Sequence, residues 1–241
     1  MELLECWSLC QVIFDNHYKD LSWMKTIEKG DKIVVIGGGG HALSLVEAIP
    51  ATGFAGYLAL APSEKMELPW LGTDDELPHL AGEGTLFHVA FIYSGLPVMD
   101  KRRELIENYR KKGARFVTLV APTAIVTPHT RLGEGCCVLN GAIVNRAVLG
   151  ENVVINSGAI VEHDCVLGDN TFVGPGAVIG GGVTIGRDCF IGLGARIKNG
   201  ITIADGVTVA MGAIVTRDLK EPGLYHGSPL RCCKIQAIHN A

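Results

Sequence analysis

The chain has few aromatic residues, 6% of its 241, so its core must pack on small aliphatic side chains. No apolar run approaches the roughly 18 to 20 residues that a membrane span needs. Positive charge is not in excess: 21 Lys and Arg stand against 25 Asp and Glu, a net charge of −4. That balance provides no basic field for a polyanion and argues against nucleic acid as a partner. Eight cysteines are too few for a disulfide scaffold. The vicinal pairs Cys136-Cys137 and Cys232-Cys233 suit neither bridges nor CxxC zinc ligation, and reduced thiols in a cytoplasm fit them best. The histidines show no HxH or HExxH spacing, so no catalytic metal is expected. Residues 1–5 open acidic where an export signal would be basic, and residues 1–30 read as a short extension.

Glycine, by contrast, is abundant: 31 residues, well above the usual ~7%, mark a chain that turns often. Stepping by six from Ile143 reaches Leu149, Ile155, Val161, Leu167, Val173, Ile179, Ile185, Ile191, Ile197, Ile203, Val209 and Val215. Four residues beyond each of these, up to Val209, stands a small or β-branched residue, among them Ala147, Ala159, Cys165, Ala177, Cys189 and Ala213. An aliphatic and a small residue facing inward in every hexad is the signature of a parallel β-helix, one short strand and one turn per hexad. Three hexads close a triangular coil, so residues 125–216 predict about five coils. Upstream the pattern continues through Ile125, Leu132 and Val138, with a one-residue slip placed before Ile143.

Ahead of the repeats the period changes. Lys32-Ile33-Val34-Val35-Ile36 reads as a strand, Gly37-Gly38-Gly39-Gly40-His41 as a loop, and Ala42 to Ile49 as a helix. Further strands are expected at 56–61, 86–93 and 115–120, with a charged helix over 101–112 ended by Gly113. Alternating strands and helices make a small parallel α/β domain with its boundary near Ala121-Pro122.

The glycine loop fits Gly37-x-Gly39-x-x-Ala42, a variant of the dinucleotide fingerprint, whose physics is a phosphate facing backbone N–H groups at a helix N-terminus. A tight turn explains it equally well, and Leu58-Ala59-Leu60 stands where an acidic ribose ligand is usual. His163, in Val161-Glu162-His163-Asp164-Cys165, lies at a turn where a side chain leaves the coil. It is either a solvated or interface histidine or a base oriented by Asp164. Asn156 is a turn residue or a side-chain hydrogen-bonder, and Arg231 a phosphate partner or a solvated cation. Cys165 and Cys189 fall in the inward row, where packing is the expected role.

Together these features resemble the hexapeptide-repeat acyltransferases, and within them the sugar acetyltransferases of the sialic acid O-acetyltransferase type, which include bacillosamine- and perosamine-pathway N-acetyltransferases. The resemblance spans roughly residues 32–235 and rests on Ile36 to His41, on Phe116 to Val126, on Asn156 to Cys165 and on Gly227-Ser228-Pro229. It implies a left-handed parallel β-helix over 122–241 behind a small Rossmann-like α/β domain over 31–121. The implied activity is acetyl transfer from acetyl-CoA to the amino group of a nucleotide-linked amino sugar, a 4-amino-4,6-dideoxy sugar foremost, in a cytoplasmic homotrimer. The alternatives are a sugar O-acetyltransferase and a non-catalytic nucleotide-sugar-binding module. By the same resemblance His163 is the base, Asp164 its acidic neighbour and Asn156 a polar residue of that site. Gly38, Gly39, Gly40 and His41 form the nucleotide-phosphate loop, and Phe172, Gly181 and Arg231 lie along acetyl-CoA, Gly181 offering a backbone N–H to the oxyanion. Departures from the family pattern are Ala59 and Leu60 in place of an aspartate, Phe172 in place of a second histidine, and Ile92-Tyr93-Ser94-Gly95 in place of Gly-Asp-Asn.

Overall fold

The computed structural model describes residues 31–49, 53–82, 84–92 and 99–227, and the backbone of 231–233. The extension at 1–30, Tyr93 to Gly95, Ser228, Pro229 and the Arg231 side chain lie outside the described residues. Strand β1 (Lys32–Ile36) forms the middle of a three-stranded parallel sheet between β2 (Phe54–Leu58) and β3 (Thr85–Val89). Its Val34 and Val35, 1% and 0% exposed, are buried on both faces, as a near-continuous aliphatic run requires. Helix α1 (Gly40–Ala48) follows β1. Helix α2 (Leu77–Leu80) precedes β3, and α3 (Met99–Lys111) follows it.

The expected strand at 115–120 is divided between two sheets. Phe116 bridges Phe87 of β3, whereas Leu119–Val120 pairs with Cys137–Val138 as the first strand of the repeat region. One extended segment thus serves both parts of the molecule.

From there the chain is a left-handed β-helix of three sheets. The first face stacks Leu119–Val120, Cys137–Val138, Val154–Ile155, Phe172–Val173, Phe190–Ile191 and Val207–Val209. The second runs from Ile125–Val126 to Ile214–Val215 and the third from Arg131–Leu132 to Thr202–Ile203. In each two-residue strand the second residue points inward: Ile155, Val161, Leu167, Val173 and Ile179 are at most 1% exposed. Each such side chain contributes on the order of 1.5–3 kcal/mol by leaving water. Corners need one residue in the left-handed region, filled by glycine at Gly158, Gly176, Gly182 and Gly194 or by the tolerant Asn152, Asp164, Asn170 and Asp188.

The slip lies one strand later than the sequence indicates. Val154 pairs with Phe172 and Val148 with Val166, eighteen residues apart, but Ile143 pairs with Ile160 and Arg131 with Val148, seventeen apart. The short corner is therefore Asn145-Arg146-Ala147. Val144 and Val126 face inward at 0% and 4% exposure, while Ile125, assigned inward by the hexad count, is 55% exposed. Both residues of these strands are β-branched aliphatics, so residue type alone does not say which one is buried.

Helix α3 seats the α/β region on the corner between the third and first faces. Arg103 Nε lies 2.9 Å from Asp188 Oδ2 and Arg110 Nη2 lies 2.8 Å from Glu151 Oε2. The partly exposed Arg110 pair contributes at most about 1 kcal/mol. Among the described residues no helix is long and apolar enough to cross a membrane.

Candidate active site

His163 stands at the corner joining the second face to the third. Its neighbours along the helix axis leave it room: on one side is the shortened corner Asn145-Arg146, on the other the triple glycine Gly180-Gly181-Gly182. A Cβ on Gly181 would come within 2.7 Å of both Cε1 and Nε2 of the imidazole, so the ring lies directly on this glycine. Gly182 N–H donates to the His163 carbonyl at 2.8 Å, fixing the backbone beneath it.

Asp164 takes the left-handed corner position, φ 59°, which Gly182 and Gly200 fill in the following coils. This conformation carries its carboxylate back to the ring, with Oδ2 2.9 Å from His163 Nδ1. A carboxylate only accepts, so Nδ1 carries a proton, and in the neutral form of the ring the lone pair is on Nε2. The hydrogen bond from His163 holds the Asp164 carboxyl below the usual carboxylate range, and it is ionised at neutral pH. Both side chains are exposed, 58% and 68%. One ring nitrogen is oriented and the other is open, the geometry that a general base requires.

Glu162, which sequence reasoning passed over, belongs to the same corner. Its Oε2 accepts from the His163 backbone N–H and from Asn145 Nδ2, each at 3.3 Å, and Asn145 Oδ1 accepts from Thr127 at 3.4 Å. The signal that could have found this ladder is the seventeen- and eighteen-residue spacing of polar corner residues at 127, 145 and 162. Asn156 sits at the other corner of the second face, where its Oδ1 accepts from the Ser157 N–H at 2.7 Å. Within one chain it does not meet His163.

The glycine loop runs past the carboxyl ends of all three strands of the small sheet. Gly37, φ 128°, has the Ala90 carbonyl oxygen 2.8 Å from where a Cβ would be, and Gly38 would crowd Ala59 and Tyr57 at 3.1 Å. These two glycines are required by the protein itself. At Gly39 and Gly40, in contrast, a Cβ would have no neighbour within 4 Å among the described residues. Gly39 caps α1 and has no side chain with which to bond the first turn, the kind of helix start at which backbone N–H groups can meet an anion.

The His41 ring turns inward rather than toward that opening. It meets Phe172 edge-on, centroids 6.3 Å apart, and Phe172 stacks on Phe190 at 4.9 Å. Burial first, and the Arg102 charge second, push the His41 pKa down to about 4; the ring is neutral at physiological pH and brings no charge to the opening. Phe172, expected beside acetyl-CoA, is 6% exposed and covered by His41, so within one chain it offers acetyl-CoA little surface. The buried thiols are poor nucleophiles: burial pushes Cys136 and Cys189 up to about 12 and raises Cys165. Among the described residues no cluster of three or more His, Cys, Asp or Glu side chains is placed to hold a metal ion.

The bacterial transferase hexapeptide family (six repeats) matches residues 146–181, and the hexapeptide repeat of succinyl-transferase matches 182–217. PerB from Caulobacter crescentus, solved in complex with CoA and GDP-perosamine, is 35% identical over 84% of this chain and 97% of its own, with a TM-score of 0.76. The chain belongs to the hexapeptide-repeat sugar acetyltransferases. The acetyltransferase domain of PglB from Neisseria gonorrhoeae, solved with acetyl coenzyme A, is another member, 30% identical over 85% of this chain and all of its own, TM-score 0.77. The perosamine N-acetyltransferase has also been solved as variants with one histidine replaced by alanine or asparagine, in complex with CoA and GDP-perosamine. No curated protein sequence matches this acetyltransferase.

Proposed function

We propose that the protein transfers the acetyl group of acetyl-CoA to the amino group of a nucleotide-linked amino sugar, a 4-amino-4,6-dideoxy sugar foremost. The observation that carries this reading is the His163 ring, oriented through Nδ1 by Asp164 and open at Nε2 over Gly181. The sugar amine attacks the thioester carbonyl carbon, and its proton passes to Nε2. The tetrahedral intermediate then collapses, the C–S bond breaks, and the CoA thiolate leaves with that proton. A positioned base of this kind contributes on the order of 10² to 10⁴ in rate. The Gly181 N–H is our candidate for stabilising the oxyanion.

The nucleotide phosphates belong at Gly39, Gly40 and the start of α1. In one chain this loop lies on the first face, over Phe172, whereas His163 occupies the corner opposite that face. One copy therefore does not bring its own loop and its own base to one sugar. The second face supports assembly: its outward row is Ile125, Ile143, Ile160, Val178, Arg196 and Ile214, with Ile125 and Ile214 about half exposed. His163 and Asn156 stand at its two edges. A homotrimer packed on this face would cover the aliphatic row and set the loop of one copy against His163 of the next. Buried free thiols at Cys136, Cys137, Cys165 and Cys189 support a cytoplasmic location.

The test is acetyl-CoA consumption across a panel of UDP-, dTDP- and GDP-linked 4-amino sugars, with the product analysed for the acetylated atom. The expected result is turnover of at least one sugar with the acetyl group on nitrogen. Acetylation of a hydroxyl would make the protein an O-acetyltransferase. No consumption by folded protein would sink the enzymatic reading.

A further inference from the structure

We propose that Arg102 is a positioning residue for the glycine loop, its two remaining N–H groups serving the Nε2 atoms of His41 and His88, directly or through one buried water. The functional part of this inference rests on the reading that the loop binds nucleotide phosphate.

Arg102 lies on α3 and is 1% exposed, a cation buried where the α/β region meets the β-helix. Its Nε donates to the Phe91 carbonyl, just past β3, at 3.2 Å. Its Nη1 donates to the Asn152 carbonyl at 3.1 Å and to Asn170 Oδ1. Asn170 is itself fixed, its Nδ2 donating to the Met99 carbonyl at 2.7 Å and to Asp188 Oδ1 at 2.8 Å. One guanidinium thus ties the end of β3, the start of α3 and two coils of the β-helix together.

A guanidinium has five N–H donors in a fixed plane. Three are placed, and the two on Nη2 are buried without a partner among the described residues. His41 Nε2 and His88 Nε2 are likewise buried and unpartnered. His88 Nδ1 faces the Val117 carbonyl at 2.9 Å; a carbonyl only accepts, so this nitrogen carries the proton and Nε2 is an acceptor. Two donors without acceptors and two imidazole nitrogens without partners are thus buried in one region, and buried polar groups are rarely left unpaired; Asn152 Oδ1, the other unpartnered atom there, lies against Gly135 and is the competing acceptor. Both rings have pKa values lowered to about 4, chiefly by burial, and the Arg102 charge acts on each. A buried cation favours the neutral imidazoles, whose lone pairs accept from it.

The consequence for function runs through His41. It is the second residue of α1, inside the turn whose N–H groups face the phosphate, and its ring is held on one side by Phe172. Anchoring its Nε2 to Arg102 fixes the loop relative to the β-helix before the nucleotide arrives.

The experiment is ¹⁵N imidazole NMR of the intact protein at neutral pH, together with kinetics of Arg102→Lys, which keeps the charge but not the planar fork. Expected are the Nδ1–H tautomer for both His41 and His88 with a hydrogen-bonded Nε2, and loss of that Nε2 signature in Arg102→Lys. With the sugar found in the panel assay, its KM should rise roughly tenfold or more while the acetyl-CoA KM stays within about twofold. An Nε2–H tautomer at His41 in the unmodified protein, or a folded Arg102→Lys enzyme with unchanged sugar KM, would overturn the proposal. Should Arg102→Lys fail to fold, or no panel sugar be turned over, the tautomer measurement still decides the Arg102 contact, and only the latter outcome counts against the nucleotide-sugar reading.

Discussion

Replacing His163 with alanine is expected to lower turnover by roughly 10² to 10⁴, about 3 to 5 kcal/mol of transition-state stabilisation, with the melting temperature nearly unchanged. The two halves of this expectation come from different parts of one hexad. The interior row here is Val161 and Cys165, both 0% exposed, and neither depends on the histidine for packing. The imidazole is exposed and bonded to Asp164 alone among side chains, so its removal opens no cavity. What is lost is the Nε2 lone pair. If the loss is confined to kcat while both Michaelis constants hold, the group acted in the transition state rather than in binding. A folded His163→Ala enzyme with near-native turnover would remove His163 from the chemistry; coincident loss of oligomer and activity would instead make it an interface residue.

The second large effect is expected at Gly181, a residue with no side chain to contribute. An alanine methyl there would sit 2.7 Å from Cε1 and Nε2 of His163, inside van der Waals contact. Gly181 is absent from the left-handed positions of the corners, so alanine strains no backbone torsion. The ring is the mobile party and must swing away, because the neighbouring backbone is held by Gly182 N–H to His163 O and Gly200 N–H to Gly181 O, at 2.8 and 3.0 Å. Displacing a base by about 1 Å costs on the order of 10² in rate. Gly181→Ala should therefore approach the His163→Ala enzyme in kcat while melting like the parent. Combining the two should cost little beyond His163→Ala, since the methyl has no ring left to displace. Strict additivity of the two losses would assign Gly181 a separate role, such as oxyanion donation.

The repeat region was legible because its physics is local and redundant: each coil must bury an aliphatic and a small residue, and every hexad repeats the same demand. Where two adjacent residues meet the demand equally, as Ile143 and Val144 do, the sequence does not distinguish them, and the slip fell one strand from its expected place. His163 was visible as a polar interruption beside Asp164 and by resemblance. The direction of its ring was not visible, because it depends on a left-handed Asp164 and on a glycine eighteen residues away. Arg102 was hidden for a different reason. It stands in a run of charges, yet Met99, Arg102, Ile106 and Tyr109 form the buried stripe of α3, at the spacing of one helical face. The periodicity marks the buried face, and the charge alone does not.

The shared site is the central geometric claim, and a mixing experiment tests it most directly. Gly40→Asp places a carboxylate where the phosphate belongs, in space with no neighbour within 4 Å among the described residues and at a helix start that favours negative charge. It should fold, keep His163 and fail to bind the nucleotide. His163→Ala should keep the loop and lack the base. Each variant alone is expected to be inactive, and no single chain in their mixture carries both an intact loop and an intact base. If the loop of one copy serves His163 of the next, co-assembly of equal amounts should restore about a quarter of the parent activity by random pairing. Mixed oligomers without restored activity would contradict a site built from two copies.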